Sequence, residues 1–301
     1  MKLGLNIPNF GPGTDPDSLA GWVRFAADAG FDLAMMSDHV AVTPDVAAIY
    51  PPPFYEPFTT LAWLAGITEH IKLGTTVAIL PYRNPLLTAR IAANIDQFSA
   101  GRFILGVGVG WSEQEFASLH VPFKRRGAVT DEFLAAITTL WTNDIASHEG
   151  EFVSFRDVHT APRPAQTPHP PIWIGGASPA ALRRAVAFGD AWHPVNAPLD
   201  WLRNKGLPTL RAIAEAAGRP EPTLSPRIRL HLSSTSLDTD ERRVGEGSVA
   251  QVLGDLEELA DLGAEYVVLD TNPDHPSDRR PTNEDWAMLE TIASRKAELT
   301  S

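Results

Sequence analysis

Short apolar runs of strand type alternate with amphipathic helical patterns along nearly the whole chain, and this alternation restricts the fold more than any other feature. The runs are KLGLNI (2–7), FDLAMM (31–36), IKLGTTVAI (71–79), RFILGVGVG (102–110), PIWIGG (171–176), DAWHPV (190–195), RIRLHLSS (227–234) and EYVVLD (265–270). Each has strand length and is bounded by turn or helix signals. The helical patterns between them carry apolar residues three and four apart. The first places Leu19, Trp22, Val23, Ala26 and Ala27 on one side, with Asp15-Pro16 opening it and Gly30 closing it. In PLLTARIAANIDQFS (85–99) the spacing predicts a core stripe of Leu87, Ile91, Ile95 and Phe98. Eight strand–helix units with no dividing linker predict an α/β fold, a single (β/α)8 TIM barrel over residues 1–301. A doubly wound parallel sheet is the rival, and the number of units favours the barrel. Insertions are expected after the second strand, in TPDVAAIYPPPFYEP (43–57), and after the fourth (111–170), which carries a helix near 128–141 and a hairpin.

Composition removes several classes of function. The net charge of −12 argues against a nucleic-acid partner, because phosphate binding needs clustered Lys and Arg. Cysteine is absent, which excludes disulfides, thiolate nucleophiles and Cys-ligated metals. The beginning, MKLGLNIPNFGPG, lacks the apolar centre of a signal peptide, and no apolar run is long enough to span a bilayer. A soluble cytoplasmic protein acting on a small molecule, away from nucleic acid and membrane, is the expectation.

In a barrel, chemistry gathers at the C-terminal ends of the strands. The second strand ends there in Ser37, Asp38, His39 and Val40. Neighbouring strand residues point to opposite faces, so Asp38 and His39 do not bond each other; one faces the mouth while the other ties down a loop or strand. A histidine there can shuttle a proton near neutral pH or donate a hydrogen bond to a ligand. A structural histidine serving backbone groups is the competing reading. No second His lies two or four residues away and no HExxH occurs, so no metal is expected.

GVGVG (106–110) sets three glycines on one strand face. Either a flat ligand lies against bare backbone, or the strand packs closely at a barrel taper. The dinucleotide fingerprint is not met, since Trp111 and Glu113 stand where its third glycine would be. In IWIGGASPAALRRA (172–185) the free N–H groups of Gly176, Ala177 and Ser178 at a helix start make an anion site; an ordinary capped helix looks the same locally. Arg83 pairs with an anionic ligand or with a surface acid, and His193 falls at the active face after a short strand. His231 reads as a packing or hydrogen-bonded strand residue and Lys124, Arg125 and Arg126 as a solvated face.

These features occur together in a recognisable order: SDHV, then LGTTVAILPYRNPLLTARIAANIDQFSAGRFILGVGVGWSEQEF (73–116), then PPIWIGGASPAALRRAVAFGDAWHPV (170–195). Together they resemble the bacterial luciferase-like superfamily, most closely its deazaflavin-dependent oxidoreductase branch. The resemblance covers residues 3–197 and continues more loosely beyond. The most specific block is LSxGRxxLGVGxGW in outline, with Phe98 in place of the leucine. The resemblance implies a TIM barrel holding a tricyclic cofactor, coenzyme F420 or alternatively FMN, across the strand ends. It also implies a non-prolyl cis peptide at Thr76-Val77 behind the central ring. Asp38 and His39 would then stand at the reactive edge as the catalytic pair. Gly108, Val109, Gly110 and Trp111 would line the rim, and Gly175, Gly176, Ala177 and Ser178 would hold the phosphate. Candidates to meet substrate are Asn6, Tyr55, Trp111 and His193, under a cover formed by the loop 41–57 with Tyr50, Phe54 and Tyr55. Arg83 or the 124–126 run is a candidate to meet the glutamate tail of F420. The sugar-phosphate dehydrogenases of this branch carry a glutamate after the fourth-strand glycines. Here Trp111 stands there and the next acid is Glu113, so an apolar or aromatic substrate is expected instead. The implied activity is hydride transfer with F420. Its alternatives are an FMN-dependent monooxygenase using reduced flavin and O2, or a non-catalytic cofactor-binding barrel. Barrels of this family commonly form homodimers, and a homodimer is expected.

Overall fold

The computed structural model describes residues 1–238 and 242–300. Its main sheet is parallel and built from β1 (Lys2–Ile7), β2 (Leu33–Met36), β3 (Lys72–Thr75), β4 (Phe103–Gly108), β5 (Ile172–Gly175), β6 (Ala191–His193), β7 in two pieces (Thr223–Leu224 and Arg227–Arg229) and β8 (Tyr266–Asp270). The neighbour order runs β6, β5, β4, β3, β2, β1, β8, with the first piece of β7 on β6 and the second on β8. Ser225 N and Arg227 N donate to Trp192 O and Pro194 O, both at 2.9 Å, while Val268 N donates to Pro226 O at 2.9 Å. The sheet therefore curls until residues 223–229 bond both of its edges. Pro226 has no N–H to give the ladder, which divides β7 in two. β1, β2, β4 and β8 are buried on both faces, as strands are when helices pack outside a parallel sheet.

Three local expectations change. Helix Pro85–Phe98 does bury Ile95, but Leu87 is 54% and Phe98 63% exposed. The face against the sheet is Thr88, Ala89, Ala92, Ala93 and Asp96. Small side chains let the helix sit close, and that proximity leaves Leu87 and Phe98 outside. IKLGTTVAI is not one strand: β3 stops at Thr75, and Ala78–Ile79 resumes beside Val107 and Gly108. RIRLHLSS leaves the barrel after Arg229, and His231–Leu232 pairs with Glu246–Gly247 instead. The hairpin after the fourth strand is Ile145–Glu149 with Ser154–His159. Its turn is held by Glu132, whose carboxylate accepts from the N–H groups of Glu151, Phe152 and Val153 at 2.7–2.9 Å. No helix among the described residues is long and apolar enough to cross a membrane.

Candidate active site

The interruption of β3 shapes the site. The Thr76-Val77 peptide is cis, as the resemblance implies. Thr76 N donates to Met36 O at 2.7 Å, and Arg227 Nη1 donates to Thr76 O at 2.7 Å. The glycine row of β4 receives this bulge. A Cβ on Gly106 would run into the Thr75 carbonyl oxygen, and one on Gly108 would lie 2.5 Å from Val77 Cγ2. Gly110, at φ +79°, would bring a Cβ 2.7 Å from Ile79 Cγ2. Close packing, not a bare wall for a ligand, is thus the reason for GVGVG. The glycines let the neighbouring chain approach and put Val77 at the mouth of the barrel.

That mouth is a cleft of about 430 Å³, within the usual range for small-molecule sites. Asp38, His39, Thr76, Val77, Gly108, Val109, Gly110, Trp111, Gly175 and Gly176 all line it, so four segments far apart in sequence share one opening. Tyr50, Ile79, Asn196, Arg227, Arg229, Asp270 and Asp274 are also among its lining residues. Ala177 and Ser178 follow on the exposed side of Gly176, outside the lining. The Ser178 hydroxyl caps helix Pro179–Phe188 by accepting from Ala181 N.

The remaining sequence candidates lie outside the lining. Asn6 is buried and donates to Asp270 Oδ1 at 3.1 Å. Tyr55 packs against the core, and its backbone exchanges hydrogen bonds with Asn9; Tyr50 of the same loop reaches the cleft instead. His193 is wholly buried between Ser225 O at Nδ1 and the Thr76 hydroxyl, 2.9 Å from Nε2. Burial lowers its pKa to about 4; the Ser225 carbonyl pulls the other way and the Arg227 charge adds to the fall. It is therefore neutral near pH 7 and braces Thr76 from beneath.

Asp38 and His39 have different tasks, as their opposite strand faces require. Asp38 Oδ2 accepts from Ile79 N at 2.8 Å and Arg83 Nη1 at 2.7 Å, and Oδ1 accepts from Arg83 Nη2 at 2.8 Å. Arg83 Nη2 also reaches Glu56 at 2.8 Å. The side chain of Arg83 is only 12% exposed and is held between the buried Asp38 and the partly exposed Glu56. His39 Nδ1 lies 2.6 Å from Glu115 Oε2, leaving Nε2 as the ring nitrogen available to the cleft. Tyr50, Phe54 and Trp111 pack around the imidazole with ring centroids 5.1–5.7 Å away.

Among the groups at the site that escaped the sequence reading are Glu115 and Arg227. Glu115 sits on helix Glu113–Ser118 and is fully buried, whereas Glu113, the acid noticed in the sequence, is exposed. Burial alone would raise the Glu115 pKa, but the hydrogen bond and charge of His39, with Val40 N and the Tyr82 hydroxyl, hold it below the usual carboxylate range. Arg227 forms a buried pair with Asp270, at 3.0 Å through Nε and 2.5 Å through Nη2. Burial opposes its charge, and the Asp270 carboxylate outweighs that cost. A signal for Arg227 existed in the arginine that opens the apolar strand RIRL; nothing in SEQEF set Glu115 apart from a surface acid.

The family model for luciferase-like monooxygenases matches residues 1–267. The chain belongs to that family. An uncharacterised protein of Mycobacterium tuberculosis is 30% identical over 232 residues, covering 73% of this chain and 80% of that protein. Among solved structures, the coenzyme F420-dependent tetrahydromethanopterin reductase of Methanopyrus kandleri superposes with a TM-score of 0.76 at 20% identity over 97% of both chains. The oxygenating component of 3,6-diketocamphane monooxygenase from Pseudomonas putida, solved with FMN, gives 0.75 at 17% identity over 97% of both. The luciferase-like fold thus serves F420 and FMN enzymes alike, and the general activity of the family is that of oxidoreductases and monooxygenases.

Proposed function

We propose that this luciferase-like barrel is an oxidoreductase that binds coenzyme F420 in the cleft and moves a hydride between it and an apolar or aromatic small molecule. The observation carrying this reading is the buried His39–Glu115 pair, which presents one imidazole nitrogen to a cleft walled by Val77, Ile79 and Trp111. The lining suits a planar ring with polar edges: apolar walls, a backbone rim, and the Nε of Arg229, a buried donor with no partner. Val77 would back the ring system, Gly108 to Trp111 would border it, and Gly175, Gly176, Ala177 and Ser178 would hold the phosphate with free N–H groups. A bound deazaflavin supplies a carbon that gives or takes a hydride. His39 would give or take the accompanying proton through Nε2, while Asp38 would hold Arg83 and the Ile79 N–H so that the wall keeps its shape.

One observation favours FMN as the second reading. Arg83 is occupied by Asp38 and Glu56, and Arg125 by Glu151, which removes two of the basic residues expected to meet a glutamate tail. FMN has no such tail, and with it the cleft would serve oxygen activation. Titrating the apo-protein with F420 and with FMN separately, followed by absorbance, tests both. Tight binding of FMN alone overturns the first reading, and binding of neither overturns the class. Oxidation or reduction of the bound cofactor on adding substrate would exclude a barrel that binds without turnover.

A further inference from the structure

We infer that Glu115 is the positioning residue for His39: it dictates which imidazole nitrogen carries the fixed proton and so directs the exchangeable one into the cleft. The inference rests on His39 as the proton carrier of the proposed reaction. Four donors converge on this carboxylate. Val40 N and Ala41 N meet Oε1 at 2.7 and 3.0 Å, while His39 Nδ1 and the Tyr82 hydroxyl meet Oε2 at 2.6 and 2.9 Å. An ionised carboxylate can only accept. Its partner on the ring must therefore be an Nδ1–H, which leaves a lone pair on Nε2 in neutral imidazole and a proton there in imidazolium. In both states the proton that can be exchanged is the one at the mouth. Burial and the Glu115 charge push the Tyr82 pKa upward, so the phenol remains a donor.

The same bonds explain how the sequence arranges this. Ser112 caps helix Glu113–Ser118, accepting from Glu115 N at 3.0 Å and donating to Asp45 at 2.6 Å in the loop that covers the cleft. Glu115 is thereby held at the first turn of its helix, facing the backbone just beyond His39. Removing the side chain would take the shared acceptor from the half-buried N–H groups of Val40 and Ala41, so the carboxylate ties the chain beyond His39 as well as the imidazole.

Glu115→Gln makes a distinct prediction. The amide keeps one acceptor oxygen, and satisfying Val40 N and Ala41 N requires that oxygen to stay at the Oε1 position. Its NH2 then faces His39 Nδ1 and Tyr82, and the tyrosine can turn to accept. The imidazole must accept at Nδ1 and carry its proton on Nε2, so the tautomer inverts. The test is ¹⁵N NMR of the neutral His39 ring in the full-length, histidine-labelled protein without cofactor. Wild type and Tyr82→Phe should show Nδ1–H, and Glu115→Gln should show Nε2–H. Nε2–H in the wild type overturns the inference, and that measurement stands even where the variant does not fold. An unchanged tautomer in a folded Glu115→Gln overturns it as well. Turnover should fall, by up to the about 10²–10⁴-fold that a positioned proton carrier contributes, while cofactor Kd stays close to wild type. A matching loss in Kd would make Glu115 part of the binding wall and also overturn the inference. Failure to bind either cofactor would overturn the functional reading and leave the tautomer result untouched.

Discussion

Replacing Asp38 with Asn separates a scaffold role from a chemical one. Its side chain is fully buried and accepts three hydrogen bonds, two of them from a guanidinium that is only 12% exposed. Asn keeps the shape but loses the charge and one acceptor, so an N–H of Arg83 or of Ile79 must face an amide NH2. Breaking a buried ion pair costs about 3–5 kcal/mol when one partner is removed. Arg83 retains Glu56, whose side chain is 38% exposed, and a half-solvated pair offsets little. The lower end, about 3 kcal/mol, is therefore the expected loss. At about 2 °C per kcal/mol for a chain of this size, Tm should drop by roughly 6 °C. Calorimetry and guanidinium unfolding of the apo-protein measure this directly. Cofactor affinity should weaken with stability, since the Ile79 N–H anchors the wall beside Val77. A variant melting within about 1 °C of wild type while turnover collapses would refute the scaffold assignment and return Asp38 to the chemistry.

His39→Ala should lower turnover about 10²–10⁴-fold, the usual contribution of a positioned proton donor, with far less effect on cofactor affinity; titration beside steady-state rates separates the two. Gly108→Ala should place a methyl 2.5 Å from Val77 Cγ2, costing about 1–3 kcal/mol in stability and weakening cofactor binding, because Val77 can move only toward the cleft or the core. His193 makes stability fall in acid. Its folded pKa is about 4 against 6.5, so below pH 6.5 the unfolded chain takes up a proton the folded one refuses. The loss approaches about 3 kcal/mol near the folded value and vanishes above the unfolded one. Asp285, raised by burial to about 6 despite Arg280, acts oppositely, stabilising below its ordinary 3.8 and losing that as pH rises through the folded value. Melting curves at about pH 7 and about pH 5 should show a smaller acid-side drop in His193→Gln than in wild type; equal drops would mean the buried imidazole does not titrate as argued.

How legible each feature was depended on how local its cause is. The succession of parallel strands and helices could be read directly, because side-chain periods of two and three to four are properties of short segments. Ser178 as a cap is equally local. Where distance between elements mattered, the reading changed. Large apolar residues on helix Pro85–Phe98 suggested a core stripe, but alanines allowed closer packing and left Leu87 and Phe98 outside. The glycines of GVGVG admitted two explanations until the bulge at Thr75 to Val77 was seen pressed against them.

Pattern along the chain was sufficient for the α/β alternation and for setting His39 at a strand end, and the family resemblance carried by short motifs placed Val77 and Trp111 at the same opening, since both kinds of signal are written in consecutive residues. Partnership was decided in three dimensions. Glu115 meets His39 across 76 positions, Arg227 meets Thr76 across 151, and Asn6 meets Asp270 across 264. A buried charge is stable only beside its complement, and which groups become neighbours is settled when the sheet curls until residues 223–229 bond both of its edges.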